Sequence, residues 1–96
     1  MRSLAEALRL TLASLRISRE VADAAAVRAW PAAAGACIGD AASRTRAIRV
    51  DGDTLLVSVA SPVLAQELRL RAETLCDELR RHAPDSGVRA VRFVPR

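Results

Sequence analysis

The fold is decided by the stretch RAIRVDGDTLLVSV at residues 46–59. Apolar side chains alternate with other residues on both sides of Asp51-Gly52-Asp53, a pattern typical of two antiparallel strands joined by a tight turn. In the first strand the alternation places Ile48 and Val50 on the core face of the sheet and Arg49 on the opposite face. We therefore expect a β-hairpin with one apolar face and one face that bears arginine.

Helical spacing governs the residues before this hairpin. Ser3-Leu4-Ala5-Glu6 has the spacing of a capping box, so a first helix is predicted to begin after Ser3. Its apolar stripe consists of Leu4, Leu8, Leu12 and Leu15. Arg16-Ile17-Ser18 interrupts the pattern, and we expect Ser18 to cap a second helix that runs to Trp30. Pro31 is expected to stop or kink that helix, which residues 32–38 then resume.

A third helix and a third strand are predicted after the hairpin. Ser61-Pro62 supplies a helix cap followed by proline at the first helical position, and the helix is expected over residues 62–81. Its apolar stripe contains Leu64, Leu68, Leu75, Leu79, Ala65, Ala72 and Cys76. The strand is expected over residues 88–94, with Val91 and Phe93 facing the core. The predicted fold is α+β in the order α-α-β-β-α-β, with the helices packed on one face of a three-stranded sheet.

Length and composition favour a single globular domain over residues 1–96. Hydrophobic residues make up 51% of the chain and charged residues 27%, a balance found in folded rather than disordered proteins. The sequence has no run of about 18 apolar residues. Glu6 and Arg9 also interrupt the start of the chain, which therefore lacks the apolar core of a signal peptide. We expect a cytoplasmic protein that makes no contact with membranes.

Reactive side chains are sparse, which argues against catalysis. The chain has one histidine, His82, and no tyrosine, and it contains no phosphate-binding loop or zinc-ligand spacing. Cys37 and Cys76 lie in helical patterns without a Cys-x-x-Cys pair, so we interpret both as small buried hydrophobes. We predict a protein that is not an enzyme and that holds no metal and no cofactor.

Arginine supplies the strongest functional signal. The net charge is +4 and every basic residue is arginine, whose planar guanidinium forms paired contacts with phosphate oxygens. Four candidates for nucleic-acid binding lead into the first strand or lie on the outer face of the sheet: Arg44, Arg46, Arg49 and Arg92. The alternative interpretation is a solvated sheet face without a ligand. No aromatic residue decorates this face, so binding there should depend on salt and carry little sequence preference.

Trp30 and two glycines before the hairpin allow more than one interpretation. Trp30 shares a helical stripe with Val27 and Ile38, which favours a role as a core or inter-helix anchor over a contact with a partner protein. Gly35 and Gly39 are four residues apart, which indicates close helix packing or a helix end. They do not form the Gly-x-x-Gly loop with which KH domains grip a nucleic-acid backbone.

A series of motifs extends along nearly the whole chain. It comprises Val27-Arg28-Ala29-Trp30-Pro31 with Gly35, the hairpin at residues 48–59, and the segments at residues 60–68 and 88–93. In order and spacing these motifs resemble the DciA family of bacterial proteins. The resemblance implies a KH-like domain that binds single- or double-stranded DNA and assists loading or operation of the replicative helicase DnaB, without catalysis or a cofactor. Trp30 and Gly35 match a tryptophan and a following glycine of that family, and Glu67 matches the Glu-Leu of its last helix.

The sequence leaves two other functions open. KH-like folds commonly serve RNA, so an RNA-binding module is one alternative. The other is a protein-interaction domain that binds no nucleic acid, for example a homodimer paired through an exposed sheet edge. The oligomeric state, the choice between DNA and RNA, and the surface that meets the helicase also stay open at this level.

Overall fold

The computed structural model describes residues 3–95, except for the side chains of residues 10–14, 16 and 17. A long helix, α1 (Leu4–Ile38), is followed by a 3₁₀ helix (Gly39–Arg44) and by strands β1 (Thr45–Asp51) and β2 (Thr54–Val59). Helices α2 (Pro62–Leu70) and α3 (Ala72–His82) then lead to strand β3 (Ala90–Pro95). The predicted α+β fold, with helices packed against a three-stranded sheet, is confirmed.

Helix α1 is one continuous helix where the sequence predicts two. As predicted, Ser3 caps it, because the Ser3 hydroxyl accepts a hydrogen bond from the amide of Glu6 at 3.2 Å. The predicted break at residues 16–18 is wrong, since each of these residues keeps its backbone N–H and none forces the chain out of the helix. The helix also continues through Pro31. Proline removes only one backbone hydrogen bond, and the buried Trp30 and Ala33 hold the helix against the core on both sides of it.

The single helix predicted over residues 62–81 is in fact two helices. Arg71, between α2 and α3, has φ −109° and ψ 13°, and its N–H bonds to the carbonyl of Leu68. The apolar stripe continues in phase across this break, so periodicity gives no sign of it. Its four leucines and its cysteine are buried as predicted: Leu64, Leu68, Leu75, Cys76 and Leu79. Burial raises the pKa of the Cys76 thiol, as expected for a cysteine that serves as a small hydrophobe.

The sheet has the order β1-β2-β3, with β1 antiparallel and β3 parallel to the central strand β2. Leu55, Val57 and Phe93 point to its inner face, where they form the core with Trp30 of α1 and with the leucines of α2 and α3. Gly52 has a φ of +66° and forms the hairpin turn between β1 and β2, a conformation that glycine adopts without strain. The helices thus cover the inner face of the sheet and leave the outer face open to solvent.

Candidate nucleic-acid interface

The outer face of the sheet brings together three of the four predicted arginines. Arg49 on β1, Leu56 on β2 and Arg92 on β3 are paired directly across the three strands. Adjacent strands lie about 4.8 Å apart, which puts the Cα atoms of Arg49 and Arg92 roughly 10 Å from each other. Arg46 lies in a neighbouring row, opposite Ser58. We refer to Arg46, Arg49 and Arg92 as the arginine face.

A β-bulge in β1 makes this arrangement possible. The pairing of β1 with β2 skips one residue between Ala47 and Arg49. The extra residue is Ile48, whose side chain is 49% exposed. Arg46 and Arg49 are three residues apart, so strict alternation would place them on opposite faces of the sheet. The bulge adds one residue to the count and puts both arginines on the outer face.

The predicted inward direction of Ile48 is therefore wrong, whereas that of Val50 is confirmed. Ala47 and Val50 pack against the core and lie opposite the buried Val57 and Leu55 of β2. Ala47 thus takes the place that alternation assigns to Ile48. The hydrophobic pattern of β1 is compatible with a regular strand and with a bulged strand, so the sequence does not reveal the bulge.

The arginine face has no internal partner in the described part of the chain. Arg44, the last residue of the 3₁₀ helix, is exposed immediately before β1. Within residues 3–95, no ion pair or hydrogen bond engages the guanidinium of Arg44 or of any arginine of that face. Other arginines are engaged: Arg19 with Asp23 and the Gly52 carbonyl, Arg80 with Asp77, and Arg81 with Glu78. The unpaired guanidiniums keep all their donors available for an anionic ligand.

Charge on the outer face is not uniform. Asp51 occupies the row nearest the hairpin turn, where it lies opposite Thr54. Arg49 and Arg92 share the middle row, and Arg46 lies in the row nearest the 3₁₀ helix. Positive charge is thus concentrated from the middle of the sheet towards the end at which Arg44 is located.

Trp30 anchors the first residue of β1. Its side chain is 1% exposed, and its Nε1–H donates a hydrogen bond to Oγ1 of Thr45 at 2.9 Å. The Thr45 hydroxyl donates in turn to the carbonyl of Ala42 at 2.7 Å. The indole also packs against the ring of Phe93, with the ring centroids 6.4 Å apart. These contacts are those of a core anchor, and a partner protein could touch the indole only if the core opened.

Gly35 and Glu67 lie on helices, outside the arginine face. Gly35 is exposed, and a Cβ at this position would meet no atom within 4 Å, so close packing does not explain the glycine. The predicted helix end is found at Gly39, which has a φ of +60° and whose N–H bonds to the Gly35 carbonyl. Glu67 is exposed on α2. Neither Gly35 nor Glu67 contributes a group to the arginine face.

Two further exposed arginines lie at the junction of α2 and α3, outside the set of candidates predicted from the sequence. Arg69 and Arg71 flank Leu70, whose side chain is 85% exposed. Arg69 also lines a cavity of about 200 Å³ together with Val94 and Pro95 of β3. The prediction of an unbroken helix hid this exposed turn, and neither glycine nor proline marks it in the sequence.

Within residues 3–95, no group of three or more His, Cys, Asp and Glu side chains is arranged to hold a metal ion. None of the described helices combines the length and the apolar character that crossing a bilayer requires.

Comparison with known proteins assigns the chain to a family. The DciA family, described as "Dna[CI] antecedent, DciA", matches residues 3–93, from the cap of α1 to Phe93 in β3. The chain belongs to the DciA family. This is a family of loaders and accessory proteins of the replicative helicase, so membership implies a role related to helicase loading and a partnership with DnaB. No curated protein matches the chain.

Proposed function

We propose that this DciA-family protein is a non-enzymatic DNA-binding accessory factor that assists the loading or operation of the replicative helicase DnaB. Arg44, Arg46, Arg49 and Arg92 would hold the phosphates of the DNA. The observation that carries the proposal is the arginine face, which presents three guanidiniums on one open surface without an internal partner among the described residues. Membership in the family supplies the helicase as the second partner.

Counterion release sets the expected strength and salt dependence of binding. Each phosphate that an arginine neutralises releases condensed cations, which contributes about −0.7 to −0.9 to the slope of log affinity against log salt. Four arginines therefore predict a slope of about −3, equivalent to a roughly 60-fold loss of affinity between 50 and 200 mM salt. The contacts are ionic interactions and hydrogen bonds, which hold and orient the DNA without a catalytic step.

No aromatic side chain supports base stacking on this surface. The chain contains one tryptophan, one phenylalanine and no tyrosine. Trp30 and Phe93 are both buried in the core. Leu56 and Val94, which lie between or beside the arginines, cannot stack as an aromatic ring does. We therefore expect the protein to bind the backbone and to discriminate little between sequences.

We expect the helicase to bind the helical side of the domain. Gly35 on α1 and Glu67 on α2 are exposed there, and Trp30 supports the same side from within the core. The helices pack on the inner face of the sheet, so this side leaves the arginine face free. One molecule can then contact helicase and DNA at the same time, which is what tethering requires.

The proposal is tested by binding of labelled single-stranded DNA, duplex DNA and RNA of equal length across a salt series, with and without the replicative helicase of the same organism. DNA binding with a slope near −3 and a ternary complex with helicase are the expected results. Preferential binding of RNA would favour the RNA-binding alternative instead. If none of the three nucleic acids is bound in a salt-dependent manner, the proposal is contradicted, and the alternative of a protein-interaction domain remains.

A further inference from the structure

Helix α1 carries a line of residues whose spacing is that of a coiled coil. Seven residues without charge follow one another at alternating steps of four and three: Leu4, Leu8, Thr11, Leu15, Ser18, Ala22 and Ala25. Steps of this kind average 3.5 residues and keep all seven on one side of a helix. We refer to these seven residues as the α1 seam.

The fold leaves the three leucines of the α1 seam uncovered. Leu4, Leu8 and Leu15 are 80%, 55% and 63% exposed. Among the described side chains of α1, the first buried one is Ala26, so the described side chains before it supply no buried anchor. The part of the helix before Ala26, residues 4–25, is about 33 Å long. Most helical stability in proteins comes from packing of an apolar face, and a line of exposed leucines indicates a surface that binds another protein.

The two halves of the seam are complementary in size. Leucines dominate the N-terminal half, whereas Ser18, Ala22 and Ala25 form the C-terminal half and are not part of the packing around the core. Beside the small residues lies an open groove of about 460 Å³, lined by Ser18, Val21, Ala22, Ala25 and Asp85. One helix therefore carries both large side chains and a groove of a size to receive them.

We propose that the α1 seam is a homodimer interface in which the α1 helices of two copies lie antiparallel. A two-fold axis near Leu15 then places Leu4 opposite Ala25 of the second copy, and Leu8 opposite Ala22. The leucines of each copy enter the groove of the other, and the small residues let the two helices approach closely. Because the axis is two-fold, every contact is made twice.

Charge favours a second copy in this orientation over a parallel pair. The exposed N-terminal part of α1 carries the positive end of the helix dipole, and Arg9 there offsets the carboxylate of Glu6. The antiparallel arrangement brings that end to the groove where Asp85 of the second copy is exposed. A parallel pair would set leucine against leucine and leave the two small halves facing a gap. None of the residues of the arginine face belongs to the seam, so this proposal does not rest on DNA binding.

Sedimentation equilibrium of the full chain across a range of micromolar concentrations tests the interface. The wild type should show a reversible equilibrium between monomer and dimer. Leu8→Glu and Ala22→Glu should each raise the dissociation constant of the dimer about a hundredfold or more, because the two-fold axis buries each new charge twice. Leu70→Glu, which changes an exposed leucine on α2, serves as the matched control and should leave the equilibrium unchanged. Circular dichroism checks that each variant is folded.

Cysteine crosslinking tests the orientation. The double variant Leu8→Cys with Ala22→Cys should form a disulfide-linked dimer on oxidation, whereas Leu8→Cys alone should not, with the wild type as the background for Cys37 and Cys76. Within one copy the two new cysteines are about 21 Å apart along the helix, too far for a disulfide. A wild type that is monomeric at every concentration would overturn the proposal. A Leu8→Glu variant that dimerises as well as the wild type would also overturn it. The same holds if the protein is monomeric and Leu8→Glu weakens its binding to the helicase instead.

Discussion

The inner and outer faces of the sheet share three strands but differ in burial and in charge. Leu55 and Val57 on the inner face are fully buried against the helices, whereas Arg46, Arg49 and Arg92 on the outer face are exposed and unpaired within the described chain. Side chains on one face therefore determine stability, and those on the other can change without unfolding the protein. Substitutions on the two faces should accordingly separate loss of folding from loss of binding.

The largest effect is expected at the anchor of the inner face. Trp30→Ala should lower the free energy of unfolding by about 3–5 kcal/mol, because it leaves a cavity in the core and removes the hydrogen bond to Thr45. Urea denaturation followed by circular dichroism measures this change. Trp30→Phe, which keeps a ring in the core, should cost less. A loss below about 1 kcal/mol for the alanine variant would mean that Trp30 is not a core anchor.

Neighbouring residues on the two faces provide a direct comparison. Val57→Ala removes buried methyl groups from the central strand and should cost about 2 kcal/mol. Arg92→Ala, one strand away on the outer face, should change the free energy of unfolding by no more than about 0.5 kcal/mol. The same urea titrations measure both values. Equal losses for the two variants would show that the arginine face contributes to folding and would contradict the separation of roles.

A smaller loss of stability than in the core is expected at the turn that joins β1 to β2. Gly52→Ala should cost about 1 kcal/mol, since a residue with a Cβ is strained at a φ of +66°. The new Cβ meets no atom within 4 Å, so the cost comes from the backbone alone. Thermal unfolding should show a midpoint lower by about 4–8 °C. An unchanged midpoint would mean that the hairpin tolerates another turn conformation.

Local patterns predicted most of the fold but not the features that depend on tertiary packing. The hairpin and the buried stripe of α2 and α3 follow from periods of two and 3.6 residues, which the sequence displays directly. The continuity of α1 through Pro31 depends on core contacts of Trp30 and Ala33, and no local pattern encodes such contacts. The break at Arg71 leaves the apolar stripe in phase and is invisible for that reason.

The candidate site shows the same limit at a single residue. Alternation alone predicts the outward direction of Arg49 and Arg92, which the pairing of the strands confirms. The place of Arg46 on the same face depends on the bulge at Ile48, since strict alternation would turn that side chain towards the helices. Proximity in the sequence makes Arg46 a candidate, whereas the bulge that puts its side chain on the outer face has no signature in the sequence.

The most direct test of the account compares two pairs of arginines in a DNA-binding titration. Arg46→Gln with Arg49→Gln changes the arginine face, and Arg80→Gln with Arg81→Gln changes two arginines that pair with Asp77 and Glu78 on α3. Each double variant removes two positive charges, so both lower the net charge equally. Fluorescence anisotropy with labelled single-stranded DNA should show a loss of affinity of about tenfold or more, and a salt slope shallower by about 1.5, for the first variant only. Equal losses for both variants would contradict the account, because they would mean that net charge rather than the arginine face attracts the DNA.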